Sequence, residues 1–169
     1  MNVKRIGRIA ILLLLVAGNI SCDQVSKRIA RQQIDYGEHI KCLSGFFTLT
    51  KVENRGAFLS LGHTLPDSLR FVLLSVLPLL VLLYGLYYLI TQYRASNLLA
   101  LGLSFALGGG IGNLYDRWRH GSVTDFMHLD LVVFQTGIFN MADVSLTTGV
   151  ILMFIALAVE RRQANETIY

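Results

Sequence analysis

Charge, cysteine and proline are all scarce in this chain. Asp, Glu, Lys and Arg make up 15% of its 169 residues while 53% are hydrophobic, a balance too apolar for an ordinary soluble domain and the opposite of a disordered one. The two cysteines, Cys22 and Cys42, cannot build a small-domain disulfide framework. Neither stands in a C-x-x-C or a zinc-spaced cluster, so both read as free thiols. His39, His63, His120 and His128 lie in polar segments and no H-E-x-x-H occurs, which argues against an intramembrane zinc protease. The net charge is +4, but no long basic run interleaved with aromatics exists, so nucleic acid is not an expected partner. Of the two prolines, Pro66 marks a turn and Pro78 a kink within an apolar stretch.

What the chain does have is apolar length. Four segments stand out, about residues 6–22, 71–90, 95–115 and 139–159, and a span needs about 20 apolar residues to cross roughly 30 Å of hydrocarbon. The expectation is a single integral membrane domain over 1–169, an all-α bundle of four transmembrane helices in contact with membrane lipid. The first segment has an alternative reading. Lys4, Arg5 and Arg8 precede Ile9 to Ala17, as in a secretory signal, even a lipoprotein signal ending at Cys22. Against that, Asn19 suits the position three before a modified cysteine poorly, and Asp23, Lys27 and Arg31 continue at helical spacing.

An even number of spans puts both termini on one side. Lys4, Arg5, Arg8, Arg94, Arg161 and Arg162 crowd the short segments of that side, so the positive-inside rule makes the termini cytoplasmic. The exported pieces are then about 23–70 and 116–138. In the first, Phe46 to Val52 is rich in aromatic and β-branched residues and is bounded by Ser44-Gly45 and Asn54-Arg55-Gly56, which predicts a strand and a turn. A second strand over Ala57 to Leu61 would complete a small sheet on the membrane surface, with Phe46, Phe47 and Phe58 as interfacial anchors; a plain loop is the alternative.

An acid inside a span costs about 2.5–3.5 kcal/mol on insertion scales, so Asp143 needs a partner or a task. Asp125 lies on the polar connection that leaves the third span and returns to the fourth, so the two carboxylates can meet at the outer interface. Two adjacent carboxylates tend to share one proton, leaving a base to activate water and an acid to polarise a carbonyl. The competing reading makes Asp143 half of an ion pair with Arg117 or Lys27, with Asp125 only capping a turn. Asp23, Lys27, Asn54, Asn113, Asp116, Arg117 and Asn140 reach the same level. Asparagine amides can hold an extended peptide, and Arg117 can donate to carbonyls if Asp116 orients it. Gly108 and Gly112 read as a close-packing pair. Ser104, in Gly102-Leu103-Ser104, lacks a histidine in any other span to act as its base. A non-enzymatic four-span protein, a transporter subunit or scaffold with ion-paired or proton-relay acids, is the rival class.

Five blocks together resemble the lipoprotein signal peptidases, or signal peptidase II, a family of bacterial membrane aspartic peptidases. They are Asp23-Gln24-Val25-Ser26-Lys27, Asn54-Arg55-Gly56-Ala57-Phe58, Gly109 to Arg117, Val123-Thr124-Asp125-Phe126 and Phe139-Asn140-Met141-Ala142-Asp143, all in the family's order. The resemblance implies four helices in the inner (cytoplasmic) membrane, cytoplasmic termini, a small periplasmic β cradle and a mobile periplasmic segment beside a site near the periplasmic face. It implies a diacylglyceryl-prolipoprotein substrate, cut on the amino side of the lipidated cysteine, with Asp125 and Asp143 as the catalytic pair. Asn54, Asn113, Arg117 and Asn140 would bind and orient the peptide, and Asp23, Lys27 and Asp116 would support them. No cofactor or metal is expected, and a monomer is. The chain departs from the family's usual pattern at Ala57-Phe58-Leu59-Ser60, where a second alanine is common before the phenylalanine, and in the short connection containing Thr136-Gly137.

Overall fold

The computed structural model describes residues 3–56, 64–92, 95–131 and 133–166. Four helices among them are long and apolar enough to cross a bilayer. They are α1 (Val3–Gln33), the run made of α2 (Asp67–Phe71), a π-helical turn (Val72–Val76) and α3 (Leu77–Thr91), then α4 (Asn97–His120) and α5 (Met141–Glu166). The helix α1 continues beyond Cys22, and its buried stripe of Leu12, Val16, Asp23, Lys27 and Ala30 passes from apolar to charged without a break in period. Pro78 is the second residue of α3, directly after the π-helical turn. The wide turn takes up the carbonyl that a proline ring would otherwise strike and the hydrogen bond it cannot donate.

At the centre stands α4, which packs against α1, α3 and α5. Leu12, Val16, Leu89, Ala100 and Leu107 form the apolar core, while most large apolar residues of α3 and α5 face outward, as lipid-solvated helices do. Lipid tails offer little drive for helix association, so close approach through small residues takes over. A side chain at Gly102 would meet the Gly149 carbonyl of α5 at 2.8 Å, and one at Gly109 would strike the Ala142 carbonyl. On the other face, Gly108 lies against Asn19 and Gly112 against Asp23, so the expected small-residue pair is the seam with α1. Ser145 Oγ donates to Asn19 Oδ1 (2.7 Å) and tightens the same region. Ser104 Oγ donates to the Ala100 carbonyl one turn back.

The ends of the bundle differ. Arg8 donates to the Ala95 carbonyl (2.6 Å) and Arg5 to the Ile90 carbonyl (3.4 Å), which ties the start of α1 to the end of α3 and to the connection that follows it. Tyr93 and Arg94 of that connection lie outside the described residues. The opposite end carries a three-stranded antiparallel sheet of β1 (Ile40–Cys42), β2 (Phe47–Asn54) and β3 (Val123–Leu129), in that spatial order. The strand expected at Phe46 to Val52 is β2, whereas the one expected over Ala57 to Leu61, with Phe58, lies outside the described residues.

Besides β1, β2 pairs with β3, so Asp125 sits on a strand. Val123 to Phe126 is buried throughout, so no polar–apolar alternation betrays the strand; only its β-branched and aromatic content does. Asn54 faces Val123, Glu53 faces Thr124 and Val52 faces Asp125, beyond an irregularity between Leu49 and Val52. That shift accompanies a buried Lys51, whose ammonium donates to the Arg31 carbonyl (3.3 Å) and stands 4.3 Å over the Tyr36 ring.

Candidate active site

The start of α5 builds half of the site. Asn140 precedes the helix; its side-chain oxygen accepts from the Asp143 amide (3.0 Å), and the Asp143 carboxylate accepts from the Asn140 amide (3.2 Å). This is a reciprocal capping box with Asn and Asp in place of Ser and Glu. It fixes the carboxylate at the positive end of the helix, where negative charge is favoured. The next free amide, that of Ala142, donates to Asp23 Oδ1 (2.9 Å), so α1 caps α5 as well.

Asp125 comes from the other side. Alternation along β3 turns its side chain towards Asn54 and α5, and Thr124 the other way. Asn54 Nδ2 donates to Asp125 Oδ2 (2.9 Å) and Asn140 Nδ2 to Asp125 Oδ1 (2.6 Å). Asn113 Nδ2 donates to Asp143 Oδ1 (2.8 Å), while Asn113 Oδ1 accepts from Asn140 (3.3 Å) and from Lys27 (2.8 Å). One residue, Asn140, thus bonds both carboxylates, through its side chain and its backbone. Burial pushes the Asp125 carboxyl up to about 6, and the Asp143 charge adds to the rise against the opposing hydrogen bonds of Asn54 and Asn140.

Below the pair lies a buried ionic cluster. The Lys27 ammonium, fully buried, contacts Asp23 (2.8 Å), Asp116 (3.1 Å) and Asn113, which uses its three protons. Arg31 Nη2 lies 3.0 Å from Asp116, and Gln24 donates to both Asp23 (3.0 Å) and Asp116 (3.2 Å). Arg31 Nε also donates to Thr124 Oγ1 (2.8 Å), whose hydroxyl donates to Glu53 (2.8 Å), with Ser122 on the second Glu53 oxygen (2.5 Å). The strand that carries Asp125 is therefore bolted to the helices that carry Lys27 and Asn113.

Every proposed site residue converges on this end of the bundle. Among the described residues Asp143 forms no ion pair; Lys27 pairs with Asp23 and Asp116 instead. Nor does Asp116 orient Arg117. Consecutive helical residues point about 100° apart, so Asp116 faces α1 while Arg117 faces the turn after β2 and donates to the Gly56 carbonyl (3.0 Å). The Asn54 oxygen accepts from the Gly56 amide (2.9 Å) and holds that turn. The side-chain amides of Asn54, Asn113 and Asn140 all donate to the two carboxylates. Arg31, Glu53, Thr124 and Gln24 were given no site role by sequence; Arg31 had a signal in its helical spacing after Lys27, Gln24 and Thr124 stood inside blocks that carry the family resemblance, and Glu53 had none. Among the described residues no cluster of three metal-ligating side chains occurs.

Beside Asp143 opens a groove of about 270 Å³ lined by Thr136, Gly137, Phe139, Val144, Thr147 and Thr148. It runs onto a flank of α5 whose outward residues, Val144, Ile151, Phe154 and Ile155, are exposed and apolar. Asp143 thus lines a groove that adjoins an exposed apolar flank of α5.

Comparison with known proteins points the same way. Residues 12–159 match the family model described as signal peptidase (SPase) II. The lipoprotein signal peptidase of Streptococcus pneumoniae is 37% identical over 96% of this chain and 99% of its own length. That of Enterococcus faecalis is 36% identical over 94% of each. Two solved structures, both described as bacterial membrane enzymes determined by the in meso method, superpose with TM-scores of 0.79 and 0.76. They are 28% and 29% identical to this chain, cover 90% and 88% of it, and are covered over 90% and 92% of their own length.

Proposed function

The chain belongs to the signal peptidase II family, and from that premise we propose that it is an aspartic endopeptidase of the bacterial inner membrane. It removes signal peptides from diacylglyceryl-modified prolipoproteins and cuts on the amino side of the lipidated cysteine. The observation that carries the aspartic assignment is the double grip of Asn140 on Asp125 and Asp143.

The chemistry follows from the two environments. Asp125, buried and raised to about 6, holds the shared proton, and Asp143, at the positive end of α5, is the base. Water between them gives a proton to Asp143 and its oxygen bonds to the scissile carbonyl carbon, while Asp125 protonates the carbonyl oxygen. Collapse of the tetrahedral adduct breaks the C–N bond. The leaving amine of the lipidated cysteine takes the proton from Asp143, and the hydroxyl proton returns to Asp125. Arg117, whose Nε has no partner among the described residues, is the remaining donor for a peptide carbonyl. Both termini are cytoplasmic and the pair sits near the periplasmic face, so the scissile bond meets the acids while the acyl chains stay in lipid. The protein acts as a monomer.

The test uses purified protein in lipid, a diacylglyceryl-modified prolipoprotein and its unlipidated precursor, with product masses read directly. Cleavage of the modified form only, leaving the lipidated cysteine as the new N-terminus, is the expected result. Equal cleavage of both forms, or a cut elsewhere, refutes the substrate assignment.

A further inference from the structure

Two side-chain amides hold Asp125, and the one from Asn54 depends on a short piece of sheet. The ladder between β2 and β3 is interrupted. Leu49 faces Met127 and Val52 faces Asp125, so Thr50 and Lys51 together stand opposite Phe126 alone, one extra residue on β2. Past that bulge three pairs remain among the described residues: Val52 with Asp125, Glu53 with Thr124 and Asn54 with Val123.

The register of this end decides which side chain accompanies Asp125. Directly opposed residues share a face and neighbours along a strand alternate, so Asn54 lies on the face of Asp125 while Glu53 and Thr124 lie on the other. Without the bulge, the earlier pairing would continue as Val52 with Thr124, Glu53 with Val123 and Asn54 with Ser122. Such a one-residue slip exchanges the faces of β2. The Glu53 carboxylate would then stand on the face of Asp125, and the Asn54 amide would leave it.

The observed register is clasped by Glu53. Its Oε1 accepts from the Thr124 hydroxyl (2.8 Å) and its Oε2 from the Ser122 hydroxyl (2.5 Å), so one half-buried carboxylate holds two alternate residues of the opposing chain. Hydrogen bonds to an ionised acceptor are about twice as strong as neutral ones. Arg31 Nε donates to Thr124 Oγ1 (2.8 Å), which directs the hydroxyl proton to Glu53, and Arg31 is itself held by Asp116 (3.0 Å). Ser122 directly follows Gly121, whose left-handed backbone (φ 75°) ends α4. The clasp therefore takes hold of the chain as it leaves the helix that carries Asn113. In the slipped register Glu53 would face Val123, away from both hydroxyls.

We propose that Glu53 is a positioning residue: by clasping Ser122 and Thr124 it fixes the bulged register of β2 against β3, and so presents the Asn54 amide, and not its own carboxylate, to Asp125. The proposal rests on the aspartic reading of Asp125 and Asp143.

The test measures kcat on a diacylglyceryl-modified prolipoprotein in lipid, with melting temperatures, for wild type, Glu53→Ala, Glu53→Gln, Asn54→Ala and Glu53→Ala/Asn54→Ala, and backbone amide exchange for the first two. Glu53→Ala should lower kcat by about 10- to 100-fold. Glu53→Gln, whose amide accepts from Thr124 and donates to Ser122, should recover most of that loss. In the Asn54→Ala background Glu53→Ala should remove no further kcat, since its effect runs through Asn54. Exchange in Glu53→Ala should quicken over 52–54 and 123–125 and stay as in wild type over 47–49 and 127–129, a readout that needs no turnover. If Glu53→Ala does not fold, Ser122→Ala, which strips one oxygen of the clasp, should show the same pattern at smaller size. Wild-type kcat in Glu53→Ala, a Gln variant as slow as the Ala one, or equal losses in both backgrounds overturns the positioning role. Exchange that is unchanged, or that rises evenly along β3, overturns the register clasp. Wild type that cuts nothing, with the divided exchange pattern present, refutes the peptidase reading and leaves the clasp supported.

Discussion

Replacing Asp125 by Asn should change how stability depends on pH, in a direction the structure determines. A carboxyl raised from 3.8 in the unfolded chain to about 6 in the folded one is favoured in its protonated form by on the order of 3 kcal/mol. The folded state then binds the proton more tightly than the unfolded state. That contribution is whole below about pH 3.8, falls as pH rises, and is gone once pH passes the folded value near 6. The Asn variant has nothing to titrate there. Its amide must present a donor to one of two donors, Asn54 or Asn140, which costs stability by an amount that does not vary with pH. The melting temperature of wild type minus that of Asp125→Asn should therefore decline between pH 4 and 6.5 or so. For a chain of this size the decline amounts to roughly 6–12 °C. Thermal unfolding in detergent across pH reads it. A flat difference, or one that grows with pH, refutes the burial argument, since the latter would mean an ionised Asp125 stabilised by its partners. Repeating the series in an Asp143→Asn background should lower the midpoint without abolishing the slope, because burial outweighs the Asp143 charge.

Lys27→Met removes the one ammonium that contacts Asp23, Asp116 and Asn113 together, and should cost about 3–5 kcal/mol by thermal unfolding, as loss of one partner of a buried pair does; wild-type stability would mean that the cluster holds nothing. Gly112→Ala places a methyl 2.5 Å from Asp23 Oδ2 and should destabilise by about 1–3 kcal/mol with loss of kcat. Gly18→Ala, with nothing within 4 Å, should do neither. Thr124→Val strips Arg31 and Glu53 of the hydroxyl between them and should lower stability by about 1–3 kcal/mol, with rescue by Thr124→Ser.

Particular residues mark what the sequence could and could not disclose. The spans were legible because lipid demands long apolar runs, and Asp143 because an acid there has no cheap place. Asp125 was found as an acid on the connection between the third and fourth spans, but its strand was not, since a strand buried on both faces has no alternating pattern. The pairing of Asp116 with Arg117 failed on helix geometry, adjacent residues facing different neighbours. Arg31, Thr124 and Glu53 stayed hidden because their bond chain crosses three elements whose register only the fold supplies. Asn113 and Asn140 were read as peptide ligands; their hydrogen bonds to the carboxylates are a further use, visible only once the α5 cap is in view.

The central claim is that Asp125 and Asp143 act as one catalytic pair, and cleavage of a diacylglyceryl-modified prolipoprotein in lipid by wild type, Asp125→Asn, Asp143→Asn and the double variant tests it most directly, with the melting temperature of each recorded. Each folded single variant should lose nearly all turnover, and the double variant should lose little more than either single one, because the two acids work as a unit. Turnover near the wild-type rate by either folded single variant would contradict the account.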